Sequence, residues 1–582
     1  MRIALPILIL SSLAVLPACG ARVGGASSSS PSSLASAPPR AVAEFPSRQQ
    51  LANVAAQPAP AAAPAATPVF REAWALAGPF PETTPAPIDP APPLAALLLR
   101  ASEGSGASAT TITECIAREL ARFQLGRRDT DERVIRFAAG RCGSTAERTW
   151  MQSYNAPVPA TADGAAVLAH HAAQLEPRIR EDVAQLRAAG ATDVGLGIAV
   201  DGRGAASIVL VGTAEELALT ERAPIVPAER DHVILRGRLE GSFRYLSAIA
   251  TFGASDYAEC EVSTSVPLPQ IAIRCPVHAT DSVAWIDVLG YTDGRVLGRR
   301  VGRVLVRRDQ GAQLAALAVD ATLEGNAPGL VEAILARANA IRAEHGRTPL
   351  ALELAQSATV QGITPAWFGA ELGGDHATSD LLTLGVIAGW DVSAGTIRDA
   401  HLAVSMVDTT QSPGEWLALL MEDPTARAVL LDPDARSAAI GAQWDAERRA
   451  FTGLVVTYEL FEDAPLDRAR DTVLRRVTAE RRRRGLPPPR VVSMGALDTA
   501  AQWVQRGQRT PGQALDRAMH QVAGSTRRGV SAWLVEGIAP EAMHFPEEVL
   551  ARPDLTLGAS MAWYRVDGAA WGQYAFLVLI VE

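Results

Sequence analysis

The sequence predicts an α+β protein of several domains, and three observations carry that reading. Helical periods ending at a glycine–proline stop are followed, twice in the C-terminal half, by a strand, a turn and a buried strand. Between about 230 and 310 the texture changes to short alternating apolar runs, broken about every eight to twelve residues by turn formers, which is an all-β signature. Finally, 582 residues at roughly 150 per domain suggest about three or four domains, and a 48% hydrophobic content provides for separate cores.

Taken in order, Met1-Arg2 opens the chain with a positive charge, and Ile3 to Leu16 is a largely apolar run ending in Leu16-Pro17-Ala18-Cys19-Gly20. A spanning helix needs about 20 apolar residues, so the run reads as a signal-peptide core (1–18). A small residue directly before a cysteine is the pattern of a lipoprotein signal, with Cys19 acylated; two or more acyl chains anchor a protein stably. The expected location is the cell envelope, in the outer membrane of a Gram-negative bacterium. Residues 19–92 are rich in Ala, Pro and Ser. They read as a disordered spacer, because such a stretch cannot bury enough apolar surface to offset its chain entropy.

The body is expected in four parts. Residues 93–225 mix helical spacing with a Val194–Val200 strand, a turn at Asp201-Gly202 and an Ile208–Val211 strand. Residues 230–310 form the all-β part, a sandwich of immunoglobulin-like kind without the Cys–Trp–Cys spacing of antibody domains. Residues 325–462 open on a helix with Leu330, Ile334, Leu335, Ala338 and Ile341 on one face, stopped at His345-Gly346 with Pro349 beyond. Residues 464–582 repeat the order, with a helix from Leu466, a stop at Gly485 and a closing strand pair. The 93–225 block shares that hairpin ending and stays open as a third, more diverged copy.

With Cys19 lipidated, Cys115, Cys142, Cys260 and Cys275 remain, an even set in an oxidising compartment. They fall into two local pairs, and Cys115–Cys142 and Cys260–Cys275 are the expected disulfides among three possible connectivities. A net charge of −9 argues against a nucleic-acid partner. All 54 basic residues are arginine, which points to codon bias and no particular chemistry.

The third part resembles a known family. Asn339-x-x-Arg342-x-x-x-Gly346 is similar to the first-helix motif N-x-x-R-x-x-x-G of the CAP superfamily (cysteine-rich secretory, antigen five and pathogenesis-related proteins; the SCP domain). Thr348-Pro349-Leu350 resembles the motif's P-L. Met421 to Pro433 resembles the bacterial M-x-S-P-G-H-R-x-N-L-L-x-P, and Ile440-Gly441 falls where the family writes V-G-V-G. The resemblance spans roughly 330–462 and extends in degenerate form to 466–582. It implies an α-β-α sandwich for each copy. It also implies a cavity of histidines and glutamates that can hold a divalent cation and has been suspected of catalysis. In this sequence the family histidine falls on Ala426, the family glutamate on Thr396, and only His376 could match the other cavity histidine. The resemblance thus implies the fold and argues against the site, and no cofactor or metal is expected.

Other chemistry is sparse. There is no His-Glu-x-x-His, Gly-x-Ser-x-Gly or P-loop. His376, beside Asp375 and near Ser379, is the one catalytic candidate, with no orienting third group in sight. His170-His171 is expected to face solvent, Gly195-x-Gly197 to be a strand feature, and Arg481 to Arg484 to be a solvated helix end suited to the dipole. Trp367, Phe368, Trp390, Trp416, Trp444, Trp563 and Trp571 are expected mainly in cores, with a surface groove for a glycan or apolar ligand as the alternative. The reading that results is a non-catalytic envelope lipoprotein, held by its membrane anchor, that binds a protein, glycan or lipid. The alternatives are a CAP-type hydrolase or peptidase with a non-standard site, and a lipid or sterol carrier.

Overall fold

The computed structural model describes residues 45–55 and 92–581 apart from 127–129, 131, 158–163, 202–203, 223, 228, 254–255, 279–282, 293–294, 296–297, 309–328, 408–412, 447–449, 527 and 566–570. The expected signal sequence, Cys19 and most of the expected spacer therefore lie outside the described residues. Among the described residues of the interval expected to be spacer, Arg48–Ala55 forms a helix, α1.

The first unit runs α2 (Pro92–Ser102), β1 (Ser108–Ala109), α3 (Thr111–Gly126), α4 (Glu132–Arg141), β2 (Arg148–Pro157), α5 (Gly164–Ala188), β3 (Asp193–Val200) and β4 (Ala205–Ala214). The all-β block holds β5 (Leu217–Leu219), β6 (His232–Leu239), β7 (Tyr245–Phe252), β8 (Asp256–Glu259), β9 (Glu261–Val262), β10 (Gln270–Pro276), β11 (Val283–Tyr291) and β12 (Arg299–Arg307). The middle unit has α6 (Leu330–Glu344), β13 (Ala351–Leu352), α7 (Leu354–Leu372), α8 (His376–Ala388), β14 (Ile397–Val407), α9 (Pro413–Glu422), α10 (Pro424–Leu430), β15 (Ala435–Asp445) and β16 (Ala450–Leu460). The last unit has α11 (Leu466–Arg483), β17 (Arg490–Val491), α12 (Gly495–Gln505), α13 (Pro511–Ser525), β18 (Val530–Gly537), α14 (Glu547–Leu550), β19 (Thr556–Arg565) and β20 (Gly572–Val581).

The three mixed units share one topology. Their sheets run β1-β3-β4-β2, β13-β15-β16-β14 and β17-β19-β20-β18. In each, a two-residue first strand lies parallel to the third strand and the other pairings are antiparallel. The parallel bridges align the third strands, placing Asp193, Ser437 and Thr556 at one level. Two and four residues further on come Gly195 and Gly197, then Ala439 and Gly441, then Gly558 and Ser560. In the first and middle units small residues are needed there because a helix crosses at backbone distance, while in the last unit Gly558 makes room for the Met494 side chain. A Cβ on Gly197 would lie 2.3 Å from the Ala117 carbonyl carbon of α3, and one on Gly441 2.6 Å from the Gln361 nitrogen of α7. The Gly195-x-Gly197 pattern is thus the seat of a helix.

A second shared device is a buried arginine. Arg342 lies nine residues before Ala351, Arg481 nine before Arg490, and both side chains are fully buried. Arg342 donates from Nε to the Thr348 carbonyl at 2.8 Å and from its Nη atoms to Leu430, Asp432 and Ala435. Arg481 donates from Nε to Pro487 at 2.8 Å and onward to Leu550, Arg552 and Pro553. Each guanidinium ties its helix end to the carbonyls ahead of the last hairpin, a fork that five fixed donors can span. This corrects the expectation of a solvated Arg481–Arg484 run, since Arg481 is internal while Arg484 pairs at the surface with Glu480 and Glu547. In the first unit the corresponding position, nine residues before Ser108, is the exposed Leu99.

In the all-β block, sheets β5-β6-β10-β9 and β12-β11-β7-β8 enclose one core built from Leu235, Ile273, Ala250, Ile286, Val288 and Val304. Burial along β6 alternates as a half-buried strand requires. β5 belongs to this block, so its first strand precedes the boundary expected near 225. Both disulfides, Cys115–Cys142 and Cys260–Cys275, are present, with Cα separations of 5.8 and 4.4 Å. Among the described residues no helix is long and apolar enough to cross a membrane.

Buried contacts seal the parts together. Asp423, the N-cap of α10, receives Arg300 and Arg303 from β12, and Asp287 of β11 receives the same two guanidiniums at 2.6–2.8 Å. Although burial alone would raise its carboxyl, the two arginines hold Asp423 far below the usual carboxylate range. Arg427, next to Ala426, donates to the Phe252, Gly253 and Asp256 carbonyls of the all-β block. At the other junction Trp571 of the last unit lies in the core of the middle unit, 1% exposed, and donates to the Ile387 carbonyl.

Candidate functional site

The three positions expected from the resemblance stand in three different surroundings. His376 is the exposed first residue of α8, with its Nδ1 3.3 Å from Glu371. Asp375 caps that helix through the Thr378 N–H. The Ser379 hydroxyl donates to Glu371, as does Arg295. Glu371 is therefore the shared acceptor that the sequence reading lacked. Burial would raise its carboxyl, but Ser379, Arg295 and His376 together hold it below its ordinary value. A serine bonded to a carboxylate, with histidine on the same carboxylate, lacks the serine–histidine contact that activates a nucleophile. Thr396 gives its N–H to Glu462 at 2.9 and 3.1 Å and packs its methyl beside Gly572. Ala426 is fully buried in a core with Trp416, Val429 and Leu430.

A cluster that sequence reasoning missed lies on β14 and β16. Asp399 and His401 are two apart on β14 and share a face, and Asp399 pairs in register with Glu459 of β16. His401 Nε2 lies 3.1 Å from Glu459 and 3.2 Å from Asp432, which follows α10. Arg398 joins Glu459 and Asp434 and reaches the Tyr574 hydroxyl of the last unit. Burial, with the Glu459 carboxylate alongside, pushes Asp399 up to about 7. Burial opposes a proton on His401, but Asp399, Asp432 and Glu459 outweigh it and hold the imidazole well above its ordinary value.

The cluster can hold a cation, either the proton on His401 or a metal ion. Asp399, His401 and Glu459 offer atoms within 4.8 Å of one another, as do Asp432, Asp434 and Glu459. Separations of 3.1 and 3.2 Å suit the edge of a zinc tetrahedron with bonds of about 2.0–2.1 Å. The spacing Asp399-x-His401 was the available signal. It meant little until β14 was known to lie beside β16, 58 residues away in sequence from His401 to Glu459.

Comparison with known proteins adds little beyond this geometry. No family model matches the chain, and no curated protein matches it. Among solved structures, a cysteine-rich secretory protein from Staphylococcus aureus is similar over 42% of this chain and 84% of that one, at 9% identity and a TM-score of 0.17.

Proposed function

We propose that the chain is a non-catalytic, lipid-anchored envelope scaffold built from three degenerate CAP-like units and an immunoglobulin-like block, presenting a rigid surface to a protein, glycan or lipid ligand. The observation that carries this reading is Ala426. The position where the family keeps its histidine is a fully buried core methyl, so an apolar floor replaces a metal ligand or general base. The shared strand order supports three copies of one unit, and the paired Arg342 and Arg481 support the kinship of the middle and last copies. The desolvated Asp423–Arg300–Arg303 contact supports rigidity. The sequence around Cys19 supports export and anchoring.

The test uses a strain whose envelope phenotype depends on this chain. Cys19→Ser should release the protein from membranes and lose the phenotype. Ser379→Ala, His376→Ala and His401→Ala, each at wild-type protein level, should keep it. Loss of function in Ser379→Ala or His376→Ala would establish an enzyme reading in place of this one.

A second reading is favoured by the His401 cluster alone, a divalent cation held between β14, β16 and the segment after α10 of the middle unit. It is independent of the expected absence of metal at His376, Thr396 and Ala426. Zinc titrated into the full chain should bind with wild-type affinity in His376→Ala and lose it in His401→Ala. Equal weak binding in all three proteins would dismiss it.

A further inference from the structure

Residues 45–55 fall inside a segment whose composition marks it as a spacer, yet they are docked. Phe45 stacks on Trp571 of the last unit with ring centroids 5.2 Å apart. The Trp390 indole N–H donates to the Pro46 carbonyl at 2.9 Å, and Arg48 pairs with Asp391 at 2.9 Å. Leu51 is 5% exposed and lies in the core shared by Trp367, Leu382 and Trp571. Its seat is made by Gly385, where an added Cβ would fall 1.9 Å from Leu51. Ser47 and Gln50 exchange backbone and side-chain hydrogen bonds at the start of α1, the reciprocal capping that starts a helix. A segment with its own cap, its own pocket and contacts to both units is built to stay in place.

We infer that this groove, formed by α8, Trp390 and Trp571, is the point where the membrane tether is fastened to the body. Its occupant is the chain's own segment 45–55. The inference rests on the lipid-anchor reading above. Cys19 and Phe45 are 26 residues apart, whereas Cys19 and Pro92, where the body begins, are 73 apart. At no more than about 3.6 Å per residue, fastening at 45 cuts the maximal stand-off from about 260 Å to about 90 Å. It also directs the middle–last junction, rather than the first unit, toward the bilayer. The same strap spans the seam between the two units, so anchoring and unit docking support each other.

The test has two arms on the full, processed chain. In the first, trypsin cleavage after Arg48 is timed in detergent for wild type, Leu51→Asp and Gly385→Leu. Leu51→Asp alters only the strap, so it reports even if Gly385→Leu disturbs α8. Proteolysis needs an extended substrate, so the cut should be at least tenfold faster in the variants while the thermal transition of the body is retained. Equal rates in wild type and Leu51→Asp would overturn the docking. In the second arm the protein is reconstituted in phosphatidylethanolamine–phosphatidylglycerol vesicles carrying a headgroup dye, with an acceptor at Ala377→Cys on α8. Energy transfer should fall by at least half in Leu51→Asp. Unchanged transfer would overturn the fastening. If the wild type does not bind vesicles at all, the anchor reading fails and the fastening with it, while the trypsin arm still decides whether the segment docks.

Discussion

Arg342 and Arg481 show how much one side chain contributes once it is internal. Each holds four carbonyl oxygens, and hydrogen bonds to a charged donor are worth roughly 1.5–3 kcal/mol each before couplings. Arg342→Met should therefore destabilise the chain by roughly 3 kcal/mol or more, read as a lower urea midpoint. Arg342→Lys should recover little, because an ammonium cannot reach carbonyls on both sides of the fork; full recovery by lysine would show that charge alone matters. The motif N-x-x-R-x-x-x-G was legible in the sequence, but the arginine's burial was not, since a cationic residue in the last turn normally completes the dipole in water.

The acid–imidazole pair makes a pH prediction at the same scale. His401 is held above its ordinary 6.5, so its contribution is fully present below that value and is lost as pH rises through its folded pKa. Asp399, pushed from 3.8 up to about 7, costs stability as it ionises over that interval. Both effects run the same way, and the pair titrates as a unit. Asp423 and Glu371, held low, lose their contributions only on the acid side. The melting temperature should therefore fall as pH rises from about 6 through about 7 and further as His401 loses its proton, and His401→Gln with Asp399→Asn should flatten that slope. A slope unchanged in the double variant would place its origin elsewhere.

Among elements, the third strand of the first and middle units decides how closely its helix can approach. Gly197→Val and Gly441→Val would drive a branched side chain into helix backbone 2.3 and 2.6 Å from the Cβ position. Each should cost at least the roughly 1–3 kcal/mol of ordinary overpacking, because backbone cannot rotate aside as a side chain can. Gly362, which faces open space on α7, is the control, and Gly362→Ala should be neutral or slightly stabilising by helix propensity. Calorimetric midpoints of the three variants check this; equal effects at Gly362 and Gly441 would refute the close-approach account. Glycine spacing on a strand was visible in the sequence, whereas which backbone it meets depends on the strand's partner helix. The spacer reading missed α1 for a related reason. Phe45, Leu51 and Val54 are too few to offset ordering alone, and they fold because Trp390, Gly385 and Trp571 supply the other half of the core.

For the whole molecule, the strongest coupling is the buried quartet of Asp287, Arg300, Arg303 and Asp423. Asp423→Ala would leave two guanidiniums short of a buried partner, a loss of about 3–5 kcal/mol. It should also uncouple the middle unit from the all-β block, so that one calorimetric transition becomes two. A single, unshifted transition would mean that the units are joined by other contacts.

Some properties were decided by the sequence alone because they are local. The two disulfides depend on pairing between cysteines close in sequence, the helix–strand order on hydrophobic period, and the repeat on recurrence of that order; the proposed export and anchoring at Cys19 rest on a short linear run. Only tertiary structure decided the rest, because it depends on residues distant in sequence. His401 meets Glu459 across a sheet, Arg481 turns inward to carbonyls some 70 residues on, and Trp571 enters a neighbouring core. A composition that reads as spacer docks as a helix once a groove exists to receive it, since the free energy of docking belongs to both surfaces and only one of them lies in the segment itself.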